Sequence, residues 1–168
     1  MANKNNNICG GLYTSKVMET FKNPHNSGKI KNADGTGKVG NIVCGDVMHL
    51  YIKVAKNKKG EEIIKDIKFE TFGCVAAIST SSIITDMAKG KTIKEALKIT
   101  KDNVIKSLGE LPKIKYHCSV LAVDALVEAV FDYLLKNKKE IPPDLQKKHD
   151  LIKKSEDIIN ERYKKWKN

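Results

Sequence analysis

Two stretches that alternate in period two, followed by a change to helical period at one point, limit this chain more than any other feature. From Val47 to Ala55, Met48, Leu50, Ile52 and Val54 fall on one side and His49, Tyr51 and Lys53 on the other, as in a half-buried strand. Asn57-Lys58-Lys59-Gly60 is a hairpin turn, and Glu62 to Phe72 returns as a second strand whose apolar face is Ile63, Ile67 and Phe69. A strand entering at about Lys38 makes three. After Gly73-Cys74 the spacing becomes helical. An antiparallel sheet with one apolar face needs a cover, and helices supply it. The expected fold class is α+β, a three-stranded antiparallel sheet packed with helices, plus a C-terminal amphipathic helix.

The remaining elements follow from local chemistry. Tyr13, Val17 and Phe21 predict a helix from Tyr13 to Lys22, ended by Asn23-Pro24 because the residue before proline disfavours helix. Gly35-Thr36-Gly37-Lys38-Val39-Gly40 matches the G-x-G-x-x-G pattern, but a polar loop precedes it and no helix follows. It reads as a turn and strand start rather than a phosphate cradle. Ala76, Ile83, Ile84, Met87 and Ala88 mark a helix ended by Gly90, with Ser79 to Ser82 as small groups that permit close packing. Thr92-Ile93-Lys94-Glu95 has capping-box form, and Thr100 or Asp102 caps another helix. Leu111-Pro112-Lys113-Ile114-Lys115 is expected to be an extended connector. His117-Cys118-Ser119 opens the strongest helix, carried by Leu121, Leu126, Val130 and Leu134. Ile141-Pro142-Pro143 breaks the chain, Asp144 caps a last helix, and Leu145, Ile152, Ile159 and Trp166 recur along it every seven residues. The expected organisation is a lead-in over residues 1–11, one domain over 12–137 and a basic helical extension over 138–168.

Composition narrows the function. The formal charge is +11, yet of 31 basic residues only Arg162 is arginine, and base readout favours the arginine fork. Nucleic acid is therefore not expected as a partner, and no apolar run is long enough for a membrane span. Met1 to Gly11 shows neither a secretory signal nor an Arg-rich transit pattern. The expected location is the cytoplasm, with a mitochondrial matrix or related organelle as the alternative. Four scattered cysteines in such a chain read as thiols, and Cys9, in the polar lead-in, is incidental.

The other three thiols occupy suggestive positions. Cys44 lies in a glycine-flanked loop, Cys74 where a strand gives way to a helix, and Cys118 at the start of another helix. Helix starts favour thiolates, and Gly45 frees the backbone for close approach to a ligand. Asp46 adds a hard oxygen and His117 an imidazole. Three thiolates with one such group satisfy tetrahedral zinc or, in pairs, the two irons of a [2Fe-2S] cluster. Each residue also has an ordinary reading: a buried cysteine as a small apolar group, Asp46 as a turn residue and His117 as a helix cap.

Five segments together resemble a known family. Tyr13 to Gly28, Ala33 to Asp46 (ADGTGKVGNIVCGD), Phe69 to Ala77 (FETFGCVAA), Gly90 to Leu97 (GKTIKEAL) and Leu111 to Ala122 (LPKIKYHCSVLA) are similar, in order and spacing, to the iron-sulfur cluster assembly scaffolds of the IscU and NifU N-terminal type. The resemblance covers about Leu12 to Leu135. It implies a site of Cys44, Asp46, Cys74, His117 and Cys118 that binds iron and a transient [2Fe-2S] cluster, with Zn able to take its place. It implies Cys118 as the acceptor of persulfide sulfur from a cysteine desulfurase, a ferredoxin-like electron donor, and apo iron-sulfur proteins as recipients. It makes the chain a scaffold rather than a turnover enzyme. A zinc-bound sulfurtransferase is the related alternative, although that branch carries an insertion before its third cysteine and generally lacks the histidine. The segment Leu111, Pro112, Lys113, Ile114 and Lys115 matches the binding site for a DnaK-type chaperone and its co-chaperone, with Lys113 departing from the usual second proline. Val75 departs from the small residue usual after the second cysteine, and homo-oligomerisation is left open.

Overall fold

The structure is a computed structural model and describes residues 12–41 and 45–166. Three antiparallel strands, β1 (Gly35–Asn41), β2 (Asp46–Lys56) and β3 (Glu62–Phe72), form a sheet in that order. Around them lie α1 (Ser15–Lys22), α2 (Val75–Ala88), the single turn α3 (Ile93–Ala96), α4 (Lys101–Ser107), α5 (Tyr116–Lys136) and α6 (Pro143–Trp166). The expected α+β fold is therefore observed. Helix α5 lies on β1 and β2, α2 lies on β3, and the core fills the space between sheet and helices. Among the described residues no helix is long and apolar enough to cross a membrane.

Local chemistry accounts for most boundaries. Thr14 accepts a hydrogen bond from the Val17 amide, so α1 begins at Ser15, after the predicted Tyr13. Thr92 with Glu95 and Thr100 with Asn103 form two complete capping boxes. The predicted turn glycines of the G-x-G-x-x-G segment instead sit inside β1. A Cβ on Gly35 or Gly37 would overlap the carbonyl oxygens of Ala129 and Ala125, so these glycines let α5 settle directly on the strand. Thr36 fixes that approach by donating from its amide and hydroxyl to Asp132 on α5.

Three expectations need correction. In β3 the core face is Ile64, Ile67 and Phe69, with Ile63 only half-buried. Lys53 pairs with Asp66 but Val54 pairs with Ile64, so Lys65 is an extra residue that turns the strand over. At the last helix Pro143 takes the first helical position and Asp144 lies within the first turn, not at its cap. The connector after Pro112 is a 3₁₀ turn over Lys113–Lys115, which leaves Lys113 and Ile114 exposed.

Helix α2 buries Ser79, Thr80, Ser81, Ser82 and Thr85 completely. The cost of burying hydroxyls is offset by partners: Ser79 donates to the Val17 carbonyl, Ser81 to Ala77, Thr85 to Ser82, and Ser82 accepts from the His25 amide. The bonds to Val17 and His25 tie α1 and the loop after it to α2. Thr80 donates to the carbonyl of Cys118 and so locks α2 to the first turn of α5.

Candidate metal centre

That contact between α2 and α5 also brings the chemistry together. Asp46 shares the inward face of β2 with Met48, Leu50 and Ile52, so strand alternation points a carboxylate at the core, where it is 4% exposed. Cys74 is the N-cap of α2, with no side-chain capping bond. Cys118 is the third residue of α5 and fully buried. Gly73 allows the convergence, since a Cβ there would lie 2.8 Å from both Asp46 Oδ1 and Ala77 Cβ.

Four side chains meet around Cys118. Its Sγ lies 3.9 Å from Cys74 Sγ, 3.6 Å from Asp46 Oδ2 and 3.5 Å from His117 Nε2. His117 Nε2 is 3.9 Å from Asp46 Oδ2. Ligands bound at about 2.0 to 2.3 Å around a tetrahedral metal lie about 3.3 to 3.8 Å apart, so the spacing of Asp46, His117 and Cys118 suits one small cation, with Cys74 close to Cys118 alone. The Asp46, His117 and Cys118 atoms all fall within 4.8 Å of one another. His117, with a third of its side chain exposed, forms the open side.

The electrostatics reverse one expectation. The Cys118 thiol is pushed strongly up, first by burial and then by Cys74 and Asp46 beside it. A helix N-terminus contributes about half a positive charge, and burial among electron-pair donors outweighs it. The metal-free site therefore holds the Cys118 proton, and a cation binding there would displace it. Lys115 lies against Cys74, and that thiol raises the lysine's proton affinity. Burial, followed by Cys74, raises the Tyr13 phenol.

Cys44 lies outside the described residues, as do the lead-in and Cys9. Beside Cys44 in sequence, Gly45 has φ +74° and donates its amide to the Asn41 carbonyl. The predicted freedom of Gly45 is thus used in closing the β1–β2 hairpin. Val75 is half-buried and packs with Tyr13, Cys74 and Tyr116 against the small apolar cluster that includes Cys118. In the Leu111 to Lys115 segment, Leu111 is buried, Pro112 and Lys115 are half-buried, and Ile114 is 75% exposed.

Sequence reasoning missed Gly73 and Tyr13 as site neighbours and assigned Lys115 only to the connector and its chaperone segment. Nothing in their spacing announces them. Gly73 matters through packing, and Tyr13 and Lys115 reach Cys74 from elements remote in sequence.

Comparison with known proteins assigns the chain to a family. The profile of the NifU-like N terminal domain matches residues 12–140. The chain is 61% identical over 128 residues to the iron-sulfur cluster assembly scaffold protein IscU 1 of Archaeoglobus fulgidus, covering 76% of this chain and 80% of the relative. It is 47% identical over 130 residues to the scaffold protein IscU of Buchnera aphidicola, covering 76% of this chain and 98% of the relative. The N-terminal part of a nitrogen-fixing NifU-like protein from Brucella abortus shares the fold with a TM-score of 0.55 at 21% identity, over 74% of this chain and 96% of that one. By the extent of the profile match and the identity to these relatives, this chain belongs to the NifU-like N-terminal domain family.

Proposed function

We propose that the protein is a scaffold on which a [2Fe-2S] cluster is assembled from iron and desulfurase-derived sulfur and then passed to apo-proteins. The supporting observation is that Cys74, Asp46 and His117 each come within 3.5 to 3.9 Å of Cys118 Sγ, from positions as far as 72 residues apart. Cys44, two residues before Asp46, completes a three-thiol set in this reading. The names of the relatives agree with the role.

Each side chain has a task in this reading. Cys118 attacks the outer sulfur of the desulfurase persulfide; a new S–S bond forms and the desulfurase thiolate leaves. His117 Nε2, 3.5 Å from the thiol, is placed to take its proton. Reducing each persulfide sulfur to sulfide needs two electrons, which the ferredoxin-like donor and the iron supply. Cys44, Cys74 and Cys118 hold the cargo through sulfur, while Asp46 or His117 is the exchangeable oxygen or nitrogen ligand that permits release. The exposed Lys113 and Ile114 make the Leu111 to Lys115 segment accessible to a chaperone. Anaerobic reconstitution with iron, a desulfurase and reductant is expected to give the visible absorption of a [2Fe-2S] centre, lost in Cys44→Ser, Cys74→Ser or Cys118→Ser. A colourless wild-type protein overturns the reading.

One observation favours a second reading. Asp46, His117 and Cys118 offer three donors spaced for a single ion, as a zinc-bound sulfurtransferase would need. Metal content of the purified protein, with desulfurase rates measured in its presence and absence, separates the two: zinc with an accelerated desulfurase and no cluster selects the sulfurtransferase.

A further inference from the structure

Helix α6 returns antiparallel along α5 and is held by a charged cluster distinct from the thiol site. Leu145 at its start is 3% exposed and joins the main core, with Ile141 and Ile152 packed beside it. Between those anchors the ring of His149 stacks on Phe131 at 3.8 Å, with 3° between the planes, and its Nδ1 lies 2.8 Å from Glu128 Oε1. Lys153 Nζ reaches the other oxygen of Glu128 at 3.4 Å and also Glu156 at 3.0 Å. One turn earlier on α5, Asp124 is half-buried beneath the helix. Facing it are Glu128 on its own helix and Glu156 and Lys148 on α6, while β1 contributes only the uncharged Val39 and Gly40.

We propose that α6 is a releasable strap, clamped to α5 by a proton-sensitive cluster and docked more tightly in mildly acidic solution than at neutrality. Its release uncovers the α5 turn that follows Cys118 and the end of β1 that leads into the Cys44 loop. The docked helix borders a cleft of about 230 Å³ there, lined by Val39, Gly40, Leu121, Ile152 and Ser155. The strap would act whatever cargo the thiols carry.

The direction of the pH effect follows from the charges. Burial, then Glu128 and Glu156, raises the Asp124 carboxyl from the ordinary 3.8 to about 6, with Lys148 opposing. Release of α6 returns Asp124 to water and to the ordinary range. Docking therefore binds a proton. The penalty for an ionised Asp124 is absent below about pH 4 and complete above about pH 6. Between pH 7 and pH 5, docking is expected to tighten about tenfold.

Amide hydrogen exchange on the full chain tests this. Residues 145–156 are followed at pH 5 and pH 7, corrected for intrinsic exchange and compared with amides of β2. Expected is protection of α6 about tenfold higher at pH 5, with β2 more protected than α6 at both. Asp124→Asn should raise protection at pH 7 and abolish most of the difference, and Glu156→Gln should reduce it in part. Equal α6 protection at both pH values overturns the proposal. So does exchange of α6 in step with β2, or an undiminished difference in folded Asp124→Asn and Glu156→Gln proteins.

Discussion

Two clusters of titratable groups flank α5, and they are built in opposite ways. At its start, Cys118 Sγ lies 3.5 to 3.9 Å from His117, Asp46 and Cys74, too far for strong hydrogen bonds, and the Asp46, His117 and Cys118 donors converge on one space. Along its middle, Glu128 meets His149 at 2.8 Å with Lys153 on its second oxygen, so a buried carboxylate already has a ring nitrogen and a cation against it. In the first cluster Cys118 keeps its proton, because burial, Cys74 and Asp46 disfavour its charge and the cation nearby, Lys115, lies against Cys74. The second is compensated within the chain. Buried donors left mutually uncompensated mark a place for a cation, whereas paired ones mark a joint between elements.

The sharpest way to break this contrast is to supply the cation. Zinc at a hundredfold excess over its dissociation constant should stabilise the wild-type protein by about 2.7 kcal/mol, raising the melting temperature by roughly 5 to 11 °C. Cys118→Ala should lose that increment while still folding, and Glu128→Ala should keep it. A zinc shift that survives Cys118→Ala would place the ion elsewhere.

A smaller effect is expected from the compensated cluster. Glu128→Ala leaves His149 and Lys153 without their shared partner and should cost about 2 kcal/mol in chemical denaturation, less than a fully buried pair because Lys153 is 45% exposed. An unchanged midpoint would mean that the joint contributes nothing. The smallest expected effect is Gly73→Ala. Its methyl meets Asp46 and Ala77, should cost about 1 to 2 kcal/mol, and should weaken zinc binding about tenfold by moving the carboxylate. Wild-type zinc affinity in that variant would remove Asp46 from the donor set.

Much of the scaffold beneath these clusters was readable before the structure. The two alternating stretches, the turn at Asn57 to Gly60, the capping box at Thr92 and the Thr100 cap are local signals, and each appears where expected. The face of β3 was misread because a bulge at Lys65 carries no glycine or proline to announce it, yet one extra residue exchanges Ile63 for Ile64. The thiolate expectation at Cys118 failed for a related reason. A helix start is visible in sequence, while the burial and neighbours that dominate its proton affinity come from β2 and α2.

By itself the sequence determined the strand and helix order, the change of period at Gly73-Cys74 and the candidate donors, because periodicity, caps and residue chemistry act over a few positions. Only the tertiary structure decided that Asp46 faces inward against Gly73, that Lys115 lies against Cys74, and that His149 clamps α6 to α5 through Glu128. Those contacts join residues 21 to 41 positions apart, one of them through a single missing Cβ, so they exist only once the helices have closed over the sheet.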